Sequence, residues 1–327
     1  MKRVTKILFT VILVVVFIAA ALVSFGAIPL NNSSVSTAHD KALAFIKNVI
    51  PIDSTKYNIT LESYYVPQLP DIGLANPIND KQEILTYLLE SKDSTLKVIC
   101  TIQNGFLKGC TLDVLKGSVI NDQPYTNVVD IAKSFLQKYQ AYSSMDSTEM
   151  IALLSNVDPT KNATITSGNL KLTVTHMNLA GTFFGDSIDF RWVQTFNGCD
   201  YLPVSIGFSD GIFSSFIDHR GIYTIGDTSV NISKEQAIKI AMEAIKNYSY
   251  RMSDDWVVTG FKVIGDQAVA NLYPQVKESN VLYPAWSVTL PLNGTYPGSV
   301  RELLVEIWAG SGEVHFVHHQ AYSYPYP

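Results

Sequence analysis

The chain has 327 residues and a formal charge of −5, so the basic footprint of a nucleic-acid-binding protein is absent. Residues 30–327 are too many for one ordinary small domain and predict two or three. Only 16% of residues are charged and 17 are tyrosines; with abundant Thr, Val and Ile this favours strands.

The first element is Ile7–Ile28, ILFTVILVVVFIAAALVSFGAI, a run without a charge and long enough to cross a bilayer as a helix. Lys2, Arg3 and Lys6 precede it. The positive-inside tendency then predicts a cytoplasmic tail over 1–6, a single span or signal over 7–29, and an extracytoplasmic remainder. An uncleaved anchor in the cell membrane is the first expectation, because a secretory signal has a shorter apolar run; secretion after cleavage is the alternative. Seven N-x-S/T triplets agree with an external chain and mark Asn31, Asn32, Asn58, Asn162, Asn231, Asn247 and Asn293 as candidate N-glycosylation sites.

Residues 30–37 read as a polar linker, and three units follow: 38–122, 123–228 and 229–327. In the first, apolar spacing predicts a helix from Ala38 to Ile50, ended by Pro51. Strands are expected at 57–66 and 83–90, then a hairpin over 96–114 turning at Asn104-Gly105. Cys100 and Cys110 flank that turn. A two-residue turn sets Cys100 opposite Gly109; a three-residue loop sets it opposite Cys110, close enough for a disulfide. That pair is the candidate disulfide and Cys199 is left over.

In the second unit Thr126 or Asn127 caps a helix whose buried stripe is Val128, Ile131, Ala132, Phe135, Leu136 and Tyr139. A short helix at 147–154 and strands at 170–176 and 188–196 come next. A hairpin turning at Asp210-Gly211 then joins 202–208 to 212–217. The third unit opens with a capping box, Ser233 with Gln236, ahead of a helix burying Ala237, Ile238, Ala241, Ala244 and Ile245. Strands are expected at 256–264, 268–273, 285–290, 302–308 and 314–319. Each unit is thus a helix followed by an antiparallel sheet, an α+β architecture of two layers.

ISKEQAIKIAMEAI, YPAWSVTL and LLVEIWAGSGEVHFV in the third unit resemble the PepSY family, whose last hairpin ends in a D-A-x-T-G-E-V-like turn. Ala309 and Ser311 to Val314 match that turn, and Trp308 stands where the family has an aspartate. QTFNGCDYLPVSIGFSDG in the second unit is similar to the Q-x-Y-N-G-x-P-V segment of thermolysin-type propeptides, with Phe196 for the tyrosine and a longer gap before Pro203-Val204. The resemblance implies tandem units of one helix packed on an antiparallel sheet, PepSY/cystatin-like, with no catalytic residue. It also implies a binding or regulatory role without identifying the partner; an extracytoplasmic protease or peptide is the first expectation.

The residues assign no cofactor and no catalytic set. His315, His318 and His319 are the most suggestive cluster. Strict alternation puts His315 and His319 on one face, about 13 Å apart, and His318 on the other, which does not assemble a metal site. There is no H-E-x-x-H helix and no G-x-S-x-G elbow. Ser94-x-x-Lys97 lies at a strand entrance instead of a helix start, and Asp218-His219-Arg220 reads as a solvated strand end. Trp192, Trp256, Trp286 and Trp308 are expected in sheet cores. Two other functions compete with the binding role. One is a hydrolase whose site lies between units, which clustering of His219, His315 or Asp218 with another carboxylate in one cleft would support; the other is a structural cell-envelope protein.

Overall fold

The computed structural model describes residues 32–67, 81–179, 185–253 and 255–321. The expected span at 7–29, its flanking tail, Asn31 and the loop around 68–80 lie outside the described residues. Among the described residues no helix is long and apolar enough to cross a membrane.

The first helix, α1, runs Asn32–Asn48 and so begins inside the expected linker. Its buried residues Ala38, Ala42, Phe45 and Ile46 recur at helical spacing, with Val49 buried just past its end, and Pro51 prevents its continuation. Four strands follow, β1 (Asn58–Tyr65), β2 (Gln82–Glu90), β3 (Thr95–Gln103) and β4 (Phe106–Lys116). Then come helices α2 (Val128–Ser143) and α3 (Thr148–Leu154). Asn127 caps α2, its side chain accepting from the Asp130 amide. Five more strands complete this part: β5 (Ala163–Ser167), β6 (Leu170–Leu179), β7 (Gly185–Phe196), β8 (Cys199–Ser209) and β9 (Ile212–Asp218).

These strands form one nine-stranded sheet in the order β1-β2-β3-β4-β9-β8-β7-β6-β5. The first and second predicted units therefore share a sheet. Two meanders meet at a seam of three residue pairs, Gly109–Ile217, Cys110–Phe216 and Thr111–Ser215. All three helices contribute to the core on one face of the sheet. Phe216 at the seam stacks on Phe45 of α1 and packs against Phe135 and Tyr139 of α2, with centroids 5.9, 4.8 and 4.6 Å away. The turns at Asn104-Gly105 and Asp210-Gly211 have positive φ at both residues, the backbone that a tight two-residue hairpin requires.

The third unit is a separate layer pair. Helix α4 (Lys234–Ala244) carries the expected capping box, with Ser233 and Gln236 bonding each other's backbone. It lies on an antiparallel meander of β13 (Val269–Glu278), β14 (Val281–Tyr296), β15 (Val300–Trp308) and β16 (Val314–Ala321). Ala237 and Ala241 are wholly buried; their small side chains let the helix approach Val288, Leu290, Leu303 and Val305. The short β10 (Thr224–Ile225), inside the second predicted unit, adds to β14 in parallel. Cys199 and Tyr201 of β8 pack against Leu272, Val276 and Leu282, joining this layer pair to the larger sheet.

The strand expected over 256–264 is mostly irregular. β12 (Val257–Val258) pairs with β11 (Tyr250–Arg251), and Val263 makes one bridge to Leu292. Gly260 at φ +74 interrupts the run between them.

Candidate functional site

The polar features of the third unit gather on the sheet face turned away from α4. Alternation along β15 points Leu303, Val305 and Ile307 at the helix and Leu304, Glu306 and Trp308 at the opposite face. On β16 the register slips: Glu306 pairs with Phe316 but Ile307 pairs with Val314. His315 is the extra residue of this bulge. It and His318 therefore both come to the face of Glu306, while His319 turns toward the helix. This corrects the assignment of faces made by strict alternation. His319 stacks on Tyr250 at 4.1 Å and its Nδ1 is 3.0 Å from the Tyr248 hydroxyl.

Glu306 sits at the centre of a loosely bonded cluster. Its Oε2 is 3.6 Å from His315 Nε2, an ion-pair distance but longer than a hydrogen bond. Gln275 Nε2 donates to the same oxygen at 3.5 Å. Burial, and next the Glu306 carboxylate, push the Tyr273 hydroxyl far above its ordinary range. Burial also lowers the His315 and His318 imidazoles, against the pull of Glu306. Tyr273 Oη, His315 Nε2 and His318 Nδ1 are buried without a hydrogen-bond partner among the described residues.

A cleft opens beside this cluster. His315 stacks on the Trp308 indole at 4.1 Å, and Lys277 Nζ lies 5.1 Å from the Trp308 centroid and 5.6 Å from that of Tyr283. Lys277 is itself exposed, and the faces of the two rings attract its ammonium. The segment from Asp227 to Asn231 forms the other wall. Asn231 donates to Gly310 O, and the Asn231 and Ile232 amides both donate to Ala309 O. The space is about 270 Å³, lined by Asp227, Asn231, Lys277, Tyr283, Trp308 and Ser311 among others. That is slightly smaller than a typical small-molecule pocket and suits a side chain or the end of a peptide. The hairpin turn at its rim is the expected one. Gly312 has φ +77 and donates to Trp308 O at 2.8 Å. Trp308, only 7% exposed, is a wall of the cleft.

The remaining sequence candidates are dispersed. Asp218 is no solvated strand end. It is 1% exposed and faces the core, bound by the Arg220 guanidinium and amide. His219 packs on Tyr223, and burial, with Lys108 adding to it, lowers its imidazole to about 4. Neither shares a partner with His315. Lys97 pairs with Glu62, and Ser94 Oγ is buried without a hydrogen-bond partner among the described residues. Cys100 and Cys110 stand opposite each other as buried free thiols, and Cys199 is a third. Asn58, Asn162, Asn231, Asn247 and Asn293 are exposed, although the Asn231 amide is bound to Gly310. Trp192 is in the core, Trp286 bonds the Ile232 carbonyl, and Trp256 is 57% exposed. Among the described residues no three His, Cys, Asp or Glu side chains converge to hold a metal ion.

No known family profile matches the chain, and no curated protein matches it. One solved structure to which it is similar is the Bacillus megaterium YpeB C-terminal domain. The alignment covers 90% of this chain and 99% of that one at 13% identity, with a TM-score of 0.27. Those values do not assign the chain to that protein's family.

Proposed function

We propose that this chain is a membrane-anchored, extracytoplasmic binding or regulatory protein of tandem PepSY-like units. In this reading its third unit receives an extended segment of a protein partner, a protease or peptide. The observation that carries it is the open edge of the third sheet. Among the described residues no strand pairs with the outer side of β16, which leaves that side of its backbone to an added strand. The side chains flanking that edge are suited to recognition. Phe316 is 38% exposed on the face of Glu306 and His318, and His315 links it to the Trp308 cleft. At the other edge β13 is packed against β8. The apolar run at 7–28 behind Lys2, Arg3 and Lys6 supports the membrane placement.

The test is site-specific photocrosslinking of the full chain, solubilised in detergent, against membrane and secreted protein of its source cell. A photoreactive residue at Phe316 is expected to capture one dominant protein, and one at Thr164 on the far edge strand β5 is not. Equal capture at both positions, or none at Phe316, refutes the proposal. Substrate turnover by the chain, abolished by one side-chain change, also refutes it.

A further inference from the structure

The sequence left two registers open for the Asn104-Gly105 hairpin, and the structure reaches the second by a route neither anticipated. The turn has two residues, yet Cys100 faces Cys110 because Thr101 pairs with Gly109 and Ile102 with Leu107. Lys108 is the extra residue of a bulge, and it advances the register by one. Directly opposed residues in an antiparallel pair have Cα atoms about 4.5 or 5.5 Å apart, and both spacings lie within the range a disulfide spans. Leu96, Val98 and Ile102 on β3, with Leu107 and Leu112 on β4, are buried beside the two cysteines, so both thiols point into the core. Cys110 is also the central residue of the β4–β9 seam, where it pairs with Phe216.

We propose that Cys100 and Cys110 form a buried cross-strand disulfide that holds β3 to β4 at the point where the two meanders join. The oxidant is another disulfide, either a small molecule or an oxidoreductase. One thiolate attacks a sulfur of that disulfide, forming a mixed disulfide and releasing one thiol. The second cysteine, as thiolate, then displaces the second thiol. Two protons leave the cysteines, two electrons pass to the oxidant, and one S–S bond is exchanged for another. Burial pushes the Cys110 thiol well above its usual range, and contact with Cys100 adds to this. Exchange is therefore slow in the closed fold, and the bond forms before α1 and α2 cover the sheet. Once covered, it is shielded from reductants. Cys199 lies in a different cluster, against Tyr201 and Leu282, and stays a thiol.

In a cell the bond rests on the extracytoplasmic placement proposed above, so the experiment uses two preparations of the full chain in detergent. One is isolated from source cells after blocking free thiols; the other is refolded in a glutathione redox buffer. Each is denatured and alkylated without reduction, then mapped by peptide mass spectrometry. The expected result is alkylation of Cys199 alone, with all three cysteines modified after reduction. Reduction is also expected to speed amide exchange at Gly109–Thr111 and Ser215–Ile217. Alkylation of all three before reduction in both preparations overturns the proposal, as does a bridge containing Cys199. Exchange at the seam unchanged by reduction overturns the clamping role. A bond formed on refolding but absent from cells supports the geometry and overturns the extracytoplasmic placement.

Discussion

Replacing Arg220 by Met tests whether the buried Asp218–Arg220 pair secures the second half of the large sheet. Arg220 Nη2 donates to Asp218 Oδ2 at 2.9 Å, Nε lies 3.1 and 3.2 Å from the two carboxylate oxygens, and the Arg220 amide donates at 2.8 Å. Arg220 Nη1 continues to the Asp146 carbonyl at 2.8 Å, so one guanidinium ties the end of β9 to the loop before α3. Without the guanidinium, a carboxylate with a 1% exposed side chain is left beside Tyr139 and stripped of its ion-pair partner. Breaking a buried pair on one side costs about 3–5 kcal/mol. Asp218→Asn combined with Arg220→Met removes both charges, so the double variant is expected to cost about 1–3 kcal/mol less than the sum of the single variants. The assay is urea denaturation of the full chain with amide exchange resolved at α3 and β9. A cost below about 1 kcal/mol for Arg220→Met, or strict additivity, refutes the reasoning.

Acidification is expected to weaken the fold through His219. Its folded imidazole, lowered by burial to about 4, stays neutral while the unfolded one takes up a proton below about 6.5; stability is highest above that value and falls as pH drops toward 4, by about 2–3 kcal/mol. His219→Gln should flatten that decline in the urea midpoint, and an unchanged slope contradicts it. Gly117 has φ +73, and a Cβ there meets the Asp93 carbonyl, so Gly117→Ala is expected to cost at least about 2 kcal/mol in the same assay.

What was legible in the sequence was local. Asn127 and the Ser233–Gln236 box start their helices because their side chains satisfy the first amides, and Asn104-Gly105 and Asp210-Gly211 turn because they accept positive φ. The bulges at Lys108 and His315 had no such signal, yet each moves a chemically important pair: Cys100 onto Cys110, and His315 onto the face of Glu306. A β-bulge depends on what the neighbouring strand demands, and the residue that bulges need not be unusual. Asp218 departs from the expected solvated strand end for a related reason: Arg220 is two residues away, but Tyr139 comes from a helix about eighty residues earlier. The union of two units in one sheet is a pairing between strands far apart in the chain, which periodicity along either strand does not encode.

That union constrains how the molecule assembles. Gly109 and Ile217 are 217 − 109 = 108 residues apart, and closing a loop of that length costs about 4 kcal/mol in chain entropy beyond a constant. Three ladder pairs, with hydrogen bonds of about 1 kcal/mol net each, do not offset this alone. The closing free energy must come from Phe45 of the first unit docking among Phe135, Tyr139 and Phe216 of the second, which bind across the boundary as partners in a complex would. Each meander can then form on its own first and search for the other afterwards. At high concentration during refolding, the first meander of one molecule can accept the second meander of another. A reciprocally exchanged dimer is the expected misassembly, with every native contact kept and only the connectivity at the seam altered.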